Sequence, residues 1–337
     1  MIFCKLAHIM SMTLHVFNPS HDEALASGSP YYTPSQVARR MERELADFPH
    51  LWAPLGDVCL GDSFSWSDVR HIEPWGWDLR LRRLLRKAGA PDCLLPDDET
   101  LEKIRLLSSR RMVSQMLPEI VASCEGTFGE SHFCTSEAET DEWLASFGES
   151  MLKAPWSCSG RGVFRCGATP TPSIRQRIRR IIGEQGGIEV QPFYSDGHDF
   201  AMEFECRDGR AQYLGISMFL TSATGQYLGN IIDSEENLLQ RMESLSSDGP
   251  RTRSIYNNVW QKLSAMLSLR VAPHYNGPLG VDMLLVGSEI FPMTELNLRQ
   301  TMGSVAIRLR ERCKHPSMLA FSEENGVLKA KTKEIKW

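Results

Sequence analysis

The sequence predicts a multidomain chain of α/β and α+β units, in which an N-terminal α/β domain is followed by two further units. Its 337 residues exceed one typical domain of roughly 150 residues. Short strands alternate with helices from Thr13 to about Leu107, which favours a parallel sheet. After about residue 190 the pattern consists mostly of strands, with one long helix between them. These three observations together indicate the mixed fold class.

Composition and charge exclude several classes of protein. Hydrophobic residues make up 42% and charged residues 23%, close to the globular average and unlike a disordered or fibrous protein. The net charge of -5 gives no reason to expect nucleic acid or a membrane as partner, and no apolar run approaches the ~20 residues that span a bilayer. The nine cysteines are scattered without a CxxC pair, so we expect reduced thiols in a cytoplasmic protein.

The first unit, residues 12–107, is predicted to be a Rossmann-like α/β domain. It contains a strand at 13–17, a helix through 37–48, a short strand at 56–60, a basic helix at 78–88 and an apolar segment at 92–95. Pro34 fits the first turn of the helix that follows it, where a missing N–H costs little. Met10 or Met12 is the expected start of translation, because the first convincing strand begins at Thr13.

Two units and a tail follow. A long helix at 98–117, predicted to end at Pro118, leads into the unit 108–190, which contains a helix at 137–147, a strand at 150–154, a loop at 155–162, a helix at 172–185 and a strand at 187–190. The unit 191–320 has strands at 199–206 and 211–218, a helix at 253–269 and a hairpin at 280–297. Residues 321–337 are polar and lysine-rich, so we expect a tail without a core pattern.

The sharpest chemical signal is the polar face of the hairpin's second strand. Glu295, Asn297 and Arg299 alternate with leucines, so the three polar side chains share one face. An exposed polar face on an edge hairpin is the simpler alternative. Solvated faces usually carry Lys, Thr and Ser, however, and not two acids and an amide next to long apolar stretches.

The preceding strand contributes Asp282 to this face. A two-residue loop at 287–288 would place Asp282 opposite Met293, one diagonal step from Glu295. Two carboxylates and an amide oxygen are hard ligands that suit Mg²⁺ bridging nucleotide phosphates. Arg299 beside them would neutralise charge on a transferring phosphoryl group.

A second signal is Lys153 at the end of a strand, followed by the small-residue loop 155–162. Such a loop presents N–H groups and hydroxyls to phosphate oxygens, and the lysine adds a positive charge. The predicted phosphate contacts are Ser157, Ser159, Gly160 and Gly162. The loop is not a Walker A motif, because GxxxxGK[ST] is absent. A simple turn explains a Ser/Gly loop equally well.

Together these motifs resemble the ATP-grasp superfamily over roughly residues 100–312. In that family a strand lysine and a small-residue loop close over the phosphates, and a late Asp … Glu-x-Asn set binds magnesium. The resemblance implies that the corresponding metal ligands here are Asp282, Glu295 and Asn297. It also implies a two-subdomain ATP-grasp fold after the first domain, with the small lid subdomain at 108–190 and the large, metal-binding subdomain at 191–320.

The resemblance implies further nucleotide contacts. Main-chain groups would read the adenine edge within the run Glu189, Val190, Gln191, Pro192 and Phe193. Asp199 is the best match to an acidic residue near the ribose, with Glu203 and Glu189 as competitors. An earlier cationic residue, usually lysine in the family, corresponds to Arg110 or Arg111.

The implied activity is that of an ATP-dependent ligase that uses ATP and Mg²⁺ and joins a carboxylate to an amine or a thiol. Lys153 and Arg299 would be the catalytic residues, and the reaction would pass through an acyl phosphate. The alternatives are a module that binds ATP without turnover and a small-molecule kinase. A dehydrogenase is disfavoured, because no GxGxxG follows the first strand.

The substrate is expected to be a small molecule or peptide with a carboxylate, but the sequence indicates neither its identity nor the oligomeric state. The acceptor pocket should use the first domain and residues 215–230. His21, Asp22 and Glu23 follow Asn18 at the end of the first strand, where α/β folds expose ligand crevices. They would either contact substrate or form a turn cap, and the cap is the simpler interpretation.

Overall fold

The computed structural model describes residues 12–157, 162–221 and 227–335. Two of the predicted phosphate contacts, Ser159 and Gly160, lie outside these ranges. Within them the strands form one parallel and three antiparallel sheets. None of the helices in the described ranges is long and apolar enough to cross a bilayer.

The N-terminal sheet is parallel, as the alternation of strands and helices predicted, and has the order β2-β1-β3. Its strands are β1 (Met12–Val16), β2 (Val58–Cys59) and β3 (Val69–Pro74). The helices of this region are α1 (His21–Ser27), α2 (Gln36–Glu44) and α3 (Leu79–Lys87), with 3-10 turns at Phe48–Leu51 and Asp92–Leu94. Strand β3 and helix α1 were not predicted, and the apolar segment at 92–95 forms one of the 3-10 turns.

The helix predicted at 98–117 is in fact two helices, α4 (Asp98–Leu107) and α5 (Arg111–Ser123). At the break, the N–H of Arg110 donates to the carbonyl of Pro155 at 3.1 Å. The main chain therefore contacts the small-residue loop instead of continuing the helix. Pro118 lies inside α5 and does not end it. The helix loses one main-chain hydrogen bond there, but it is anchored by the buried side chains of Val113, Met116, Leu117 and Ile120.

The second sheet is antiparallel, with the order β4-β7-β5-β6. Its strands are β4 (His132–Cys134), β5 (Ser150–Lys153), β6 (Val163–Cys166) and β7 (Ile188–Pro192). Helices α6 (Glu137–Phe147) and α7 (Pro172–Gln185) have the predicted bounds. Each begins after a side-chain cap, Ser136 or Thr171, which satisfies an otherwise unpaired N–H.

The third sheet is antiparallel, with the order β13-β12-β8-β9. Its strands are β8 (His198–Arg207), β9 (Arg210–Ser217), β12 (Gly277–Val286) and β13 (Glu289–Asn297). Phe200, Met202 and Phe204 of β8 lie in the largest apolar core. Because strand side chains alternate between faces, Asp199 and Glu203 lie on the opposite face. This sheet therefore has one apolar face and one face that carries acidic groups.

The fourth sheet is antiparallel, with the order β10-β11-β14-β15. Its strands are β10 (Phe219–Thr221), β11 (Tyr227–Ile232), β14 (Ser317–Glu324) and β15 (Val327–Glu334). The remaining helices are α8 (Glu235–Leu245), α9 (Gly249–Arg270) and α10 (Met302–Arg308), with a 3-10 turn at Arg310–Arg312.

The expectation of a tail without a core pattern was wrong, because residues 317–334 form the β14–β15 hairpin. Asn325 and Gly326 make its turn, with φ of 50° and 79°. Asn-Gly with positive φ at both positions is the preferred two-residue hairpin turn. The turn dipeptide was thus a usable signal, although the lysine-rich strands beside it do not show clear apolar alternation.

Candidate nucleotide and metal site

Asp282 lies directly opposite Glu295 in the β12–β13 hairpin. The predicted register, with Asp282 opposite Met293, was wrong. The two-residue loop is present, since Val286 pairs with Glu289. An enlarged β-bulge between Asp282 and Leu284 shifts the pairing by two residues, because β13 has three residues there (292–294) where β12 has one. The shift brings the two carboxylates closer together than the regular hairpin would.

The hairpin brings together the candidate metal ligands Asp282, Glu295 and Asn297. The Nδ2 of Asn297 donates to Oδ2 of Asp282 at 3.2 Å, and its Oδ1 accepts from Nη2 of Arg299 at 3.0 Å. Burial raises the pKa of Asp282 to about 7, and the charges of Glu295 and Glu203 add to the effect. The donor set and its excess negative charge fit a hard divalent cation such as Mg²⁺.

Arg110 joins the small-residue loop to this group. Its Nη1 donates to Ala154 O at 2.6 Å and to Ser157 Oγ at 2.7 Å, and its Nη2 donates to Glu295 Oε1 at 2.5 Å. Burial alone would lower the pKa of Arg110, but Glu295 more than offsets this and the pKa is raised. Its Nε has no hydrogen-bond partner among the described residues. Arg111 is exposed, so only Arg110 of the two candidate arginines lies in the cleft.

Lys153 and Gln191 reach from the second sheet to the hairpin. The Nζ of Lys153 donates to the carbonyl of Thr294 at 2.7 Å, and Nε2 of Gln191 donates to the same oxygen at 3.2 Å. Burial lowers the pKa of the Lys153 ammonium, although Glu189 and Glu295 act in the opposite direction. The strand that carries Lys153 and the hairpin that carries Glu295, which were predicted separately, are therefore in contact at Thr294.

Glu189 is a fully buried acid opposite Lys153 in the β5–β7 ladder. Its Oε1 accepts from Ser131 Oγ at 2.6 Å, while its Oε2 has no hydrogen-bond partner among the described residues. Burial raises the pKa of Glu189, and the charge of Lys153 offsets only part of the rise. The carboxylate thus retains an unused acceptor beside the lysine.

Four of the five predicted adenine-hinge residues, 189–192, lie within strand β7, and only Phe193 follows it. At 188–190 this strand lies between β4 and β5, so the main-chain groups of Glu189 and Val190 are used in the sheet. The side chain of Val190 is part of a buried apolar cluster. The N–H of Phe193 donates to Glu149 O at 3.0 Å, and its ring lies 3.9 Å from the Arg165 guanidinium carbon. Pairing with β4 ends at Val190, whereas pairing with β5 continues to Pro192.

The two acids considered for the ribose contact differ in exposure. Asp199 is exposed on β8, whereas Glu203 is only 1% exposed. Glu203 accepts from Thr301 Oγ1 at 2.8 Å and from Ser217 Oγ at 3.0 Å. Burial raises its pKa to about 7, and these two hydrogen bonds offset only part of the rise. Asp199 is thus the accessible acid, while Glu203 is enclosed by its own hydrogen-bond partners.

Helix α1, which follows β1, contacts Arg299 through Asp22. Both carboxylate oxygens of Asp22 accept from Nε of Arg299, at 3.1 and 3.2 Å. The Nδ2 of Asn18 donates to Gly76 O at 2.8 Å and to Asp78 Oδ2 at 3.1 Å. The interpretation of Asn18 and Asp22 as a local turn cap was therefore wrong, because both side chains bind distant segments. A charged residue in the segment that follows the first parallel strand was the signal for this contact.

Some of these residues line a narrow cleft between the small-residue loop and strand β13. Its lining includes Asp22, Arg110, Trp156, Ser157, Glu295 and Asn297. The open volume is about 10 Å³, which is about enough for one water molecule. At Gly162, a Cβ would lie 2.2 Å from the Cβ of Ser157, so the loop returns at a point where only glycine fits.

Comparison with solved structures identifies the fold. The chain is similar to the Campylobacter jejuni biotin carboxylase complex with β-γ-ATP, at TM-score 0.52 and 11% identity, over 93% of this chain and 76% of that one. An ADP complex of N5-carboxyaminoimidazole ribonucleotide synthetase gives 0.51 and 11%, over 92% and 81%. The MgADP complex of the biotin carboxylase domain of Hydrogenobacter thermophilus 2-oxoglutarate carboxylase gives 0.50 and 12%, over 92% and 74%.

A scan of protein-family models and a search of curated protein sequences each found no match. Identities of 11–12% establish similarity of fold alone. The fold that these structures share with the chain is the ATP-grasp fold. The same fold was implied by the sequence motifs around Lys153 and Glu295.

Proposed function

We propose that the protein is an ATP-dependent ligase that joins a carboxylate to an amine or a thiol. The observation that carries the proposal is the approach of two cations to the hairpin that carries Asp282, Glu295 and Asn297: Arg110 binds Glu295, and Lys153 binds the carbonyl of the neighbouring Thr294. An oxygen-donor group next to two buried cations is the arrangement that a metal-bound triphosphate requires. The ATP-grasp fold supports the proposal, and similar structures contain adenine nucleotides.

The metal site of the proposal consists of Asp282, Glu295 and Asn297, which would hold one or two Mg²⁺ ions. When bound, Mg²⁺ would bridge phosphate oxygens and neutralise their charge. The raised pKa of Asp282 is consistent with this role, because a cation relieves the repulsion between neighbouring carboxylates.

The phosphate contacts of the proposal are Lys153, Arg110 and the small-residue loop, including Ser157, Ser159, Gly160 and Gly162. In the narrow cleft, Arg110 fills space between Ser157 and Glu295. A triphosphate would therefore replace Arg110 contacts: Glu295 would exchange the guanidinium for the metal, and the guanidinium would bind phosphate oxygens instead.

The nucleoside contacts of the proposal lie in the last residues of β7, directly after it and on β8. The side chain of Gln191 is close to Lys153 through their shared acceptor, Thr294 O. We place the adenine edge along residues 189–193, mainly toward Gln191 and Phe193, and the ribose near the exposed Asp199. Glu189, with its unused oxygen beside Lys153, would contact the base or the phosphate-binding lysine.

The reaction needs no covalent protein nucleophile. A substrate carboxylate oxygen would attack the γ-phosphorus of ATP, the bond from that phosphorus to the β–γ bridging oxygen would break, and ADP would leave. The amine or thiol would then attack the acyl phosphate carbonyl, lose its proton and expel inorganic phosphate. Arg299, positioned by Asp22 and Asn297, would stabilise the transferring phosphoryl group. The narrow cleft would keep water from the acyl phosphate.

The substrate of the proposal is a small molecule or peptide with a carboxylate. The acceptor pocket would be formed by the first domain, whose Asp22 already contacts Arg299, together with residues 215–230, of which 222–226 lie outside the described ranges. We propose a cytoplasmic enzyme that does not use nucleic acid or a membrane as partner.

Magnesium-dependent ADP release across a panel of amino acids and short peptides tests the proposal. We expect release only with a carboxylate substrate and an amine or thiol, and we expect Glu295→Ala to abolish it. Glu289→Ala is the matched control, because Glu289 is an exposed acid on the same strand. Absence of Mg·ATP binding would end the proposal. ATP binding without ADP would identify a non-catalytic module, and a stable phosphorylated product that needs no amine or thiol would identify a kinase.

A further inference from the structure

Three metal-binding side chains of different chemistry lie together beside the N-terminal parallel sheet. His50, Cys59 and Asp62 each offer one ligand atom, and these atoms lie within 4.8 Å of one another. His50 belongs to the 3-10 turn Phe48–Leu51, Cys59 ends strand β2, and Asp62 follows three residues later. Among the described residues, the possible ligand atoms of these three side chains converge at one point.

The main chain holds these side chains in place. The Oδ2 of Asp62 accepts from the N–H of Cys59 at 2.7 Å, and the N–H of Asp62 donates to Cys59 O at 2.9 Å. The same Oδ2 lies 2.9 Å from Nε2 of His50. The imidazole is anchored as well, because its neighbours Phe48 and Pro49 are buried. The three donors therefore need little reordering to bind an ion, which reduces the entropic cost of binding.

The donor chemistry selects a class of metal. Imidazole nitrogen, thiolate sulfur and carboxylate oxygen are the three ligand types that Zn²⁺ uses in proteins. The soft sulfur disfavours Mg²⁺ and Ca²⁺, which prefer oxygen. Three protein ligands leave one tetrahedral position for water. Cys59 is 1% exposed whereas His50 is 44% exposed, so an ion would enter from the imidazole side.

The local charge also favours a cation. The carboxylate of Asp62 lies 2.9 Å from Nε2 of His50 and so adds negative charge where the three donors meet. The simplest alternative is an exposed ion pair between His50 and Asp62 beside an inert core cysteine. That alternative explains the 2.9 Å contact and the burial of Cys59, but not the convergence of three ligand atoms of different chemistry within 4.8 Å of one another.

We propose that His50, Cys59 and Asp62 bind one Zn²⁺ or a similar divalent transition-metal ion, which joins the 3-10 turn to the end of β2. The site is separate from the proposed nucleotide cleft, whose metal ligands are all oxygen atoms. It holds or fails independently of the ligase proposal.

Cobalt titration of the full chain tests the proposal, since Co²⁺ is a coloured substitute for Zn²⁺. The parent protein would carry Cys93→Ser, which removes an exposed thiol. We expect one equivalent of Co²⁺ to produce a thiolate-to-cobalt charge-transfer band that Zn²⁺ abolishes. Cobalt bound at Asp282 and Glu295 would give no such band, because those ligands contain no sulfur.

Two variants assign the ligands. Cys59→Ser should abolish the charge-transfer band, and His50→Gln should weaken cobalt binding by about tenfold or more. His50 is exposed, so the second variant should keep its fold even if the buried Cys59 does not tolerate substitution. His71→Gln is the matched control, because His71 is also exposed, and it should bind like the parent. Absence of the band in the parent, or a band that persists in both ligand variants, would overturn the proposal.

Discussion

The carboxyl of Asp282 should destabilise the metal-free protein. It is half-buried and lies opposite Glu295, and its pKa is raised to about 7 by burial and by neighbouring acids. An acid whose pKa is raised by folding binds its proton more tightly in the folded state. The free energy of unfolding is therefore highest, as far as this carboxyl is concerned, below the pKa of aspartate in the unfolded chain, near 3.9. It falls as the pH rises from there through about 7.

Asp282→Asn removes this charge and keeps the shape of the side chain. A rise of about three pKa units corresponds to about 4 kcal/mol, which is an upper limit because the carboxyl retains some contact with water. We expect the variant to raise the free energy of unfolding by about 1–3 kcal/mol near pH 8 and by roughly a third as much near pH 5, where Asp282 is largely neutral in the folded state but ionised in the unfolded chain. The asparagine Oδ1 can still accept from Asn297 Nδ2.

Urea denaturation of the metal-free protein at both pH values measures the change in the free energy of unfolding. The same denaturation in the presence of Mg·ATP measures how much stability each protein gains by binding it. The native protein should gain stability from Mg·ATP and the variant should gain much less. Asp196→Asn, in an exposed loop, is the control and should change neither measurement. A variant that is less stable near pH 8, or that responds to Mg·ATP like the native protein, would refute the reasoning.

Three further substitutions test other parts of the cleft. Arg110→Lys keeps the charge but loses the planar fork, so ATP affinity measured by calorimetry should fall about tenfold, whereas Arg111→Lys should not alter it. Asp22→Asn should lower kcat by about tenfold or more, with little change in ATP affinity, because it loosens only Arg299; equal losses in both would contradict this. Gly162→Ala should weaken ATP binding, since the new Cβ would lie 2.2 Å from a serine carbon; unchanged affinity would argue against the loop as a phosphate contact.

Local signals in the sequence predicted several elements well. Helices α6 and α7 have the predicted bounds because Ser136 and Thr171 cap their first turns and a glycine follows each last turn. Side-chain alternation also predicted which residues of β13 share a face. Such signals depend only on neighbours along the chain, so a single sequence contains them.

Features that depend on contacts between distant segments were not predictable in the same way. Alternation does not reveal the β-bulge that moves the partner of Asp282 from Met293 to Glu295. Nor does it distinguish Arg110 from Arg111, because the choice depends on where α5 begins relative to the loop at Pro155. The approach of His50 to Cys59 and Asp62 likewise arises from the path of the folded chain.

The central claim is that one cleft holds a metal-bound triphosphate between two sheets. A crystal structure with a non-hydrolysable ATP analogue and Mn²⁺, located by its anomalous scattering, tests it most directly. We predict a metal peak about 2.0–2.2 Å from oxygen atoms of Asp282, Glu295 and Asn297, with phosphate oxygens between it and Lys153. Nucleotide or metal bound elsewhere, with these side chains making no contact, would contradict the account.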